Sequence, residues 1–326
     1  NGEEVLPACL DSIRNQEIGD TFEIIVHDDA STDESINLIR SGYPEVHLLT
    51  SDQNLGFCVA NNRMAEAARG QYLLLVNNDA TLQPNALSVL IANAKSTSLK
   101  RILTLPQYDI KTGDLIDVGR KVDLSLNPVP LTVLATGDVA MCIGACLWIP
   151  RDLWTELGGF PEWFDSIGED LFLCIAAWRA GYRVTAIGES GYYHHVGYSF
   201  GGGKLSSAER VSSPARRRRL SEINRTRSLA ILMPFPVRLI LMPTHLLMLA
   251  AEGLFMGLFL TQWDLWMRIY WPAILAPWRD RRQIRIERAR LAGIGISPFR
   301  RLIPHISWFP YKLRMLLRHG VPRVTD

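Results

Sequence analysis

The sequence predicts an α/β fold with a mostly parallel central sheet, followed by a hydrophobic, helical C-terminal region. Three observations carry this expectation. Strand-like and helix-like segments alternate through the first hundred residues, a spacing that implies parallel strands joined by right-handed crossovers. The strands "FEIIV" (22–26) and "YLLLV" (72–76) read as apolar runs rather than alternating patterns, as strands covered on both faces do. From Leu229 the texture changes, and residues 239–260 hold a single charge, Glu252.

Taken in order, "EVLPACLDSIRNQ" places Val5, Leu6, Cys9, Leu10 and Ile13 on one helical face. "TFEIIVHDDAS" is a strand ending in Asp28 and Asp29. Ser31-Thr32-Asp33-Glu34 supplies capping residues before the helix "SINLIRS". "EVHLLTSD" reads as a strand and "GFCVANNRMAEAARG" as a helix closed by Gly70. "YLLLVNND" is the next strand, and Pro84 sits near the first turn of the helix "NALSVLIANA". Between about 101 and 150, Pro106, Pro128, Pro130 and several glycines break the regularity into short strands and loops, of the kind that shape an acceptor site. "GEDLFLCIAAWRAGYRV" is a helix that starts with acids and stops at Gly181. "YYHHVGYSFGGGK" follows as a Gly-rich loop, read as mobile, with His194 and His195 adjacent. The organisation expected is a domain over 1–205, a basic loop or linker over 206–228 containing Arg216 to Arg219, and a hydrophobic and basic helical tail over 229–326.

The totals narrow the function. The chain has 326 residues, 48% hydrophobic and 21% charged, enough for a sizeable core. A net charge of +2 argues against a dedicated nucleic-acid binder. Most acids precede residue 190, whereas the run "RDRRQIRIERAR" (279–290) is basic. Five scattered cysteines without a CxxC pair read as small buried hydrophobes in a reducing compartment. No secretory signal is visible at the start, although the sequence opens at Asn1 rather than Met, as a fragment would.

The triplet Asn77-Asn78-Asp79 ends an apolar strand in groups foreign to a core. It reads either as a turn, since Asn and Asp bond their own backbone, or as a ligand site at the carboxyl end of a sheet strand. Asp28 and Asp29 finish another strand in the same way. Two strands delivering carboxylates to one edge favour the second reading.

Seven stretches carry a resemblance: "NGEEVLPACLDSI", "VHDDASTDES", "NLGFCVANNRMAEAA", "GQYLLLVNNDATLQP", "GACLWIPRDLWTELGGFPEWF", "GEDLFLCIAAWRAGYRV" and "HHVGYS". Each is weak alone, but they occur in one order over roughly residues 1–200. Together they resemble a family 2 inverting glycosyltransferase of the GT-A fold, close to the bacterial rhamnosyltransferase-like branch. The basic 279–290 segment resembles the ending found in that branch. In that family an apolar strand leads into the Asn-Gly pair, so the sheet here is expected to lack its first strand.

The resemblance implies roles for particular residues. Asp79 stands at the DXD-like position that holds Mg²⁺ or Mn²⁺, with Asn77 departing from strict DXD. Hard cations of this kind keep several waters, so one protein carboxylate can suffice. Asp28 and Asp29 match the nucleotide-binding acids, Asp29 the better match. Asn54, Gly56 and Asn62 match the loop and helix beside the nucleotide, although Asn62 also reads as an exposed helix residue. Asp170 matches the general base that deprotonates the acceptor hydroxyl. Phe172 and Ala176 stand where the family has a second acid and a basic residue. Glu169 orients the acceptor or caps the helix, and both acids suit the helix dipole. His194 occupies the first position of HxxGxS, as a metal ligand or diphosphate contact or as an ordinary loop histidine. Asn78 and His195 fall in the acceptor and diphosphate neighbourhood.

In the tail, Pro243 and Glu252 oppose a simple bilayer span of residues 239–260. Arg238, His245 and Glu252 recur every seven residues, which puts them on one helical face. Such a stripe suits a helix lying in a membrane interface or packed on the catalytic domain, and a buried helical hairpin competes. The expectation is peripheral or monotopic attachment to the cytoplasmic face of the bacterial inner membrane. There the enzyme meets a nucleotide-diphosphate sugar donor and a saccharide or lipid-linked acceptor for cell-surface polysaccharide synthesis. The rival readings are a sugar nucleotidyltransferase, weakened by the lack of a P-loop pattern, and a catalytically degenerate membrane scaffold that still binds nucleotide sugars.

Overall fold

The computed structural model describes residues 1–195, 212–294 and 299–325. Of the segment expected to be a Gly-rich loop, Tyr192–His194 form a strand instead, and the part from residue 196, including Gly197 and Ser199 of the HxxGxS pattern, lies outside the described residues. The chain divides into two compact units. The first comprises Asn1–Arg120, Pro130–Ser166 and Tyr182–His195, and the second Lys121–Val129, Ile167–Gly181 and Val196–Asp326.

The first unit opens α1 (Leu6–Arg14), β1 (Ile24–Asp29), α2 (Ser35–Gly42), β2 (Val46–Ser51), α3 (Phe57–Ala67), β3 (Tyr72–Val76), β4 (Ala80–Leu82) and α4 (Ala86–Lys95). Short strands follow: β5 (Arg101–Thr104), β6 (Gln107–Asp109), β7 (Leu115–Asp117), β8 (Arg120–Asp123), β9 (Pro128–Pro130), β10 (Gly137–Asp138) and β11 (Cys146–Pro150). After α5 (Arg151–Leu157) and α6 (Glu169–Ala180) come β12 (Arg183–Ala186) and β13 (Tyr192–His194). Most of β8 and of β9, and all of α6, belong to the second unit.

Across α2 the pairing is parallel, as expected: β1 lies beside β2 with Ile24 opposite Val46. The larger sheet has the order β10-β12-β5-β11-β3 and is mixed. Among its described neighbours only β5 and β12 pair in parallel, while β11 pairs antiparallel with both β3 and β5. The reason is local. The irregular 101–150 segment brings β11 back without a helical crossover, so it enters in the opposite direction. A third sheet has the order β4-β13-β6-β7. Among the described residues β1 pairs only with β2, and β3 only with β11.

The apolar face of α1 packs as its spacing predicts. Leu6 and Leu10 join Ile39 and Tyr43 against Ile24, Val26, Val46 and Leu48 of β1 and β2. A fully buried leucine such as Leu10 contributes roughly 1.5–3 kcal/mol. A second core gathers Leu87, Leu90, Leu103, Leu105, Trp148 and Tyr192 around β5 and β11. All five cysteines are free and buried, and burial pushes the Cys146 thiol up to about 12.

In the second unit, α6 ends at Gly181 in the left-handed conformation, as read from the sequence. The segment expected to be a basic loop or linker is helical from Ala215 onward, as α7 (Ala215–Leu232). Then come α8 (Phe235–Leu260), a single turn α9 (Trp263–Leu265), a π-helical turn Trp266–Tyr270, α10 (Trp271–Arg279), α11 (Arg281–Gly293) and α12 (Tyr311–His319). Their core holds Ile223, Leu249, Met256, Leu265, Ile269 and Tyr270. Gly253 permits the close approach of the π turn to α8, because a Cβ there would lie 2.5 Å from a ring atom of Trp266.

Candidate active site

The candidate acids of the first unit sit at a strand end or just beyond one. At the end of β1, Asp28 is buried and its carboxylate accepts the Ser31 backbone N–H at 3.0 Å. The next residue, Asp29, accepts the backbone N–H groups of Leu55 at 2.7 Å and Gly56 at 2.9 Å. The Asn54 side-chain amide donates to the Asp29 carbonyl oxygen at 3.5 Å. Asp29 therefore fastens the loop that launches α3. Gly56 is required there: its φ is +88°, and a Cβ would lie 2.6 Å from Asp165 Oδ1.

Asn62, on α3, is neither exposed and idle nor open to a ligand through its amide. Its Nδ2 donates to the Phe160 carbonyl at 2.9 Å, and its Oδ1 accepts the Phe160 N–H at 3.0 Å. Both ends of the carboxamide clasp that loop.

Asn77-Asn78-Asp79 follows the carboxyl end of β3. The Ala80 N–H donates to the Asn77 carbonyl at 3.0 Å, so the triplet does make a turn. That turn also carries Asp79 beside β13, where its carbonyl accepts the His195 N–H at 3.0 Å. In the β4–β13 ladder His194 stands opposite Ala80. The register brings His194 Nε2 to 3.0 Å from Asp79 Oδ1, with Asn77 Nδ2 at 3.5 Å from the same nitrogen. The Asp79 carboxylate is almost wholly buried. Burial, and then the charge of Asp79, push the nearby Cys9 thiol up to about 12. Asn78 lies beside Gly2, its Nδ2 at 2.8 Å from where a Cβ of Gly2 would stand.

The donor set suits a hard cation with few protein ligands. Asp79 offers a carboxylate oxygen and His194 an imidazole nitrogen at the same point, and His194 Nδ1 is buried with no partner among the described residues. No group of three or more His, Cys, Asp or Glu converges among the described residues. A cation held here would take the rest of its sphere from water and phosphate oxygens, which Mg²⁺ and Mn²⁺ sites on nucleotides commonly do.

The cavity of about 680 Å³ near Tyr72, Lys100, Arg101 and Trp148 lies at the amino end of β3, away from Asp79.

In the second unit, Glu169 and Asp170 occupy the first turn of α6, Glu169 buried and Asp170 half-buried. Asp170 Oδ1 accepts the Leu171 N–H at 2.6 Å. Phe172 and Ala176, which stand where the resemblance has charged residues, are buried in the α6 core. The approach to α6 is strained: Ile167 has φ of +65°, unusual for a β-branched residue, and Gly168 has +97°. Asn224 of α7 supports this turn by donating from Nδ2 to the Ile167 carbonyl at 2.9 Å. Sequence reasoning missed Asn224. Its one signal was a short amide in mid-helix, where such residues are uncommon without a partner.

Comparison with known proteins fits this arrangement. Residues 1–156 match the family model described as glycosyl transferase family 2. Succinoglycan biosynthesis protein ExoO of Rhizobium meliloti (strain 1021) is 26% identical over 204 residues, which cover 60% of this chain and 58% of that protein. The chain thus spans under two thirds of this relative's length. Among solved structures, S. aureus TarS 1-349 in complex with UDP-GlcNAc aligns with a TM-score of 0.56 at 17% identity, over 90% of this chain and 86% of that one. Mannosyltransferase PcManGT from Pyrobaculum calidifontis, in complex with GDP-Man and Mn²⁺, aligns with a TM-score of 0.50 at 20% identity, over 90% and 83%. The fold is that of the GT-A glycosyltransferases.

Proposed function

From a chain whose residues 1–156 form a glycosyl transferase family 2 domain, we propose an inverting, metal-dependent hexosyltransferase of cell-surface polysaccharide synthesis. The observation that carries the reading is the buried Asp79–His194 pair, set by strand register at the carboxyl end of β3. A divalent cation held by these two side chains would neutralise the diphosphate as it departs. Asp29, at the end of β1, contacts the nucleotide and fixes the loop Asn54–Gly56 beside it, with Asp28 bracing the turn below.

The reaction balances simply. The acceptor hydroxyl oxygen attacks the anomeric carbon from the face opposite the diphosphate, the carbon–oxygen bond to the diphosphate breaks, and Asp170 takes the hydroxyl proton. Asp170 stands in the first turn of α6. Glu169 and His195 belong to the surroundings of acceptor and diphosphate. Family relatives named for polysaccharide synthesis support an acceptor that is a saccharide or lipid-linked saccharide. Solved neighbours bound to UDP-GlcNAc and GDP-Man support a nucleotide-sugar donor; rhamnose or another hexose as the moiety rests on the sequence resemblance alone. The cytoplasmic face of the inner membrane is where such donors and acceptors meet.

Nucleoside diphosphate release tests this, using protein in detergent with Mn²⁺, a panel of dTDP-, UDP- and GDP-sugars, and membrane lipid extract as acceptor source. Release that needs both one donor and the extract, and that Asp170→Asn abolishes, is the expected result. Binding of nucleotide without release in any combination would instead identify the degenerate scaffold.

A further inference from the structure

Two helices of the second unit are built inside out. Along α8 the exposed positions are 235/236, 239/240, 243/244, 247/248, 251, 254/255 and 258/259, a stripe running the length of the helix. Thr244 is its one polar residue, and that hydroxyl bonds the Ile240 carbonyl on the same helix. Ile240 and Leu247 are each 71% exposed and Phe259 73%. The charged and polar groups of α8 point the other way. His245 is buried and bonds Thr226 of α7 at 2.9 Å, and Glu252 pairs with Arg218 of α7 and Lys312 of α12.

Helix α12 repeats the inversion. Lys312 points inward and pairs with Glu222 and Glu252, while Leu313, Leu316 and Leu317 face outward, Leu317 72% exposed. On α10 the exposed side chains Trp271, Leu275 and Trp278 fall at helical spacing. An apolar stripe about 39 Å long, the rise of 26 helical residues, far exceeds what a monomer leaves in water.

We infer that α8, α10 and α12 form a platform embedded in one leaflet of an anionic lipid membrane, without crossing it. Two features choose lipid as the occupant. Residues 215–326 carry twenty Lys and Arg against six Asp and Glu, a strongly cationic segment that complements anionic headgroups. Tryptophans stand exposed on the same elements, Trp271 and Trp278 on α10 and Trp263 just past α8, and the chain passes from Trp278 directly into Arg279, Arg281 and Arg282. Tryptophan beside arginine is the composition of a headgroup boundary.

By length and composition alone, Phe235–Phe259 could cross a bilayer. Its packing argues otherwise. The inward face of α8 is fastened by Glu252 and His245 to α7, which carries Arg216 to Arg219, Glu222, Arg225 and Arg227. A spanning α8 would draw that helix into hydrocarbon, where each charge is costly. One face on protein and one on acyl chains is the monotopic arrangement. The inference rests on the membrane-associated part of the proposed function and not on its chemistry, so its test contains no sugar nucleotide.

The test is flotation of the full chain with vesicles of phosphatidylcholine and phosphatidylglycerol at 7:3, against phosphatidylcholine alone. Wild type is expected to float with the anionic vesicles and about tenfold less with the neutral ones. Leu247→Glu/Leu254→Glu and Leu313→Glu/Leu317→Glu should each cut flotation at least about tenfold with unchanged thermal melting. A second readout does not depend on those variants folding. In membranes from expressing cells, an impermeant maleimide should label Arg219→Cys and Arg282→Cys from the same side. Labelling from opposite sides would establish a spanning α8 and overturn the inference. So would a wild type that ignores vesicles of either kind and instead dimerises with concentration, which would assign the stripe to a second copy.

Discussion

His194 Nε2 lies 3.0 Å from Asp79 Oδ1, although 115 residues separate the two in sequence. The contact exists because β13 pairs antiparallel with β4 in a register that sets His194 opposite Ala80. A slip of one residue would turn His194 to the other face of the sheet and dissolve the pair.

Asp79→Asn keeps the shape and one acceptor oxygen but removes the charge. Mn²⁺-dependent turnover should fall by roughly 10²–10³-fold, the scale seen when one electrostatic stabiliser is lost. His194→Ala should cost less, about 10–100-fold. Titrating Mn²⁺ against nucleoside diphosphate release measures both. Metal-dependent turnover undiminished in both variants would remove the pair from the cation site.

Asp29 should show a mixed phenotype, because its carboxylate holds Leu55 and Gly56 and, in the proposed function, also contacts the nucleotide. Asp29→Ala strands two backbone donors and is expected to lower unfolding free energy by roughly 1–3 kcal/mol in urea titrations. Asp29→Asn, which keeps an acceptor, should lose less stability. Both should raise the KM for the donor. A stable Asp29→Ala with normal donor KM would contradict both roles.

Asn224 is expected to act on turnover through the Ile167 turn. Asn224→Leu fills the volume but leaves the Ile167 carbonyl without its donor. We expect kcat to fall about tenfold while the Kd for the donor nucleotide is unchanged, the signature of a displaced Asp170. A fall in both in proportion to lost folded protein would mean that Asn224 serves stability alone.

The ion network under α8 predicts an acid limit to stability. Burial opposes ionisation of Glu222, yet Arg225, Lys312 and Arg218 together hold its carboxyl well below the ordinary carboxylate range. A depressed folded pKa contributes stability that is fully present above the unfolded value of about 4.5 and is lost as pH falls through the folded value. Thermal melts in detergent should therefore steepen in their decline below about pH 4.5. Glu222→Gln should remove that part of the slope and cost about 3–5 kcal/mol at neutral pH, since it takes the carboxylate from buried Arg225, while Lys312 keeps Glu252. An unchanged acid limb in the variant would assign the loss to other carboxylates.

What the sequence disclosed, and what it withheld, follows from range. Local periodicity revealed α1, β1, β3, α4 and α6, with the Gly181 stop, because apolar spacing and caps are properties of neighbours. The polar strand ends Asp28-Asp29 and Asn77-Asn78-Asp79 were legible for the same reason. Partners at a distance were not. Nothing near Asn62 signals its clasp on Phe160, and nothing near Asn224 its hold on Ile167. The antiparallel course of β11 depends on an irregular segment without periodicity, so helix–strand alternation overstated the parallel pairing. The basic run 216–219 read as a loop because four arginines mask helical pattern, whereas their helix is stabilised by what packs on it. The seven-residue spacing of Arg238, His245 and Glu252 did mark one face of α8, but whether that face looks outward or inward is a tertiary fact.

The order of the small sheet, β4-β13-β6-β7, has a kinetic consequence. Its second strand is the last of the four to leave the ribosome, and it must insert between β4 and β6, whose first residues, Ala80 and Gln107, precede Tyr192 by 112 and 85 residues. Loop closure over that span makes this a late, slow event on the scale set by contact order. A nascent chain halted before Tyr192 would already hold Asp79 but not His194, so it would pass through synthesis without its complete cation pair. In the proposed function, competence to bind a charged donor would thus be withheld until the last strand of the first unit is in place.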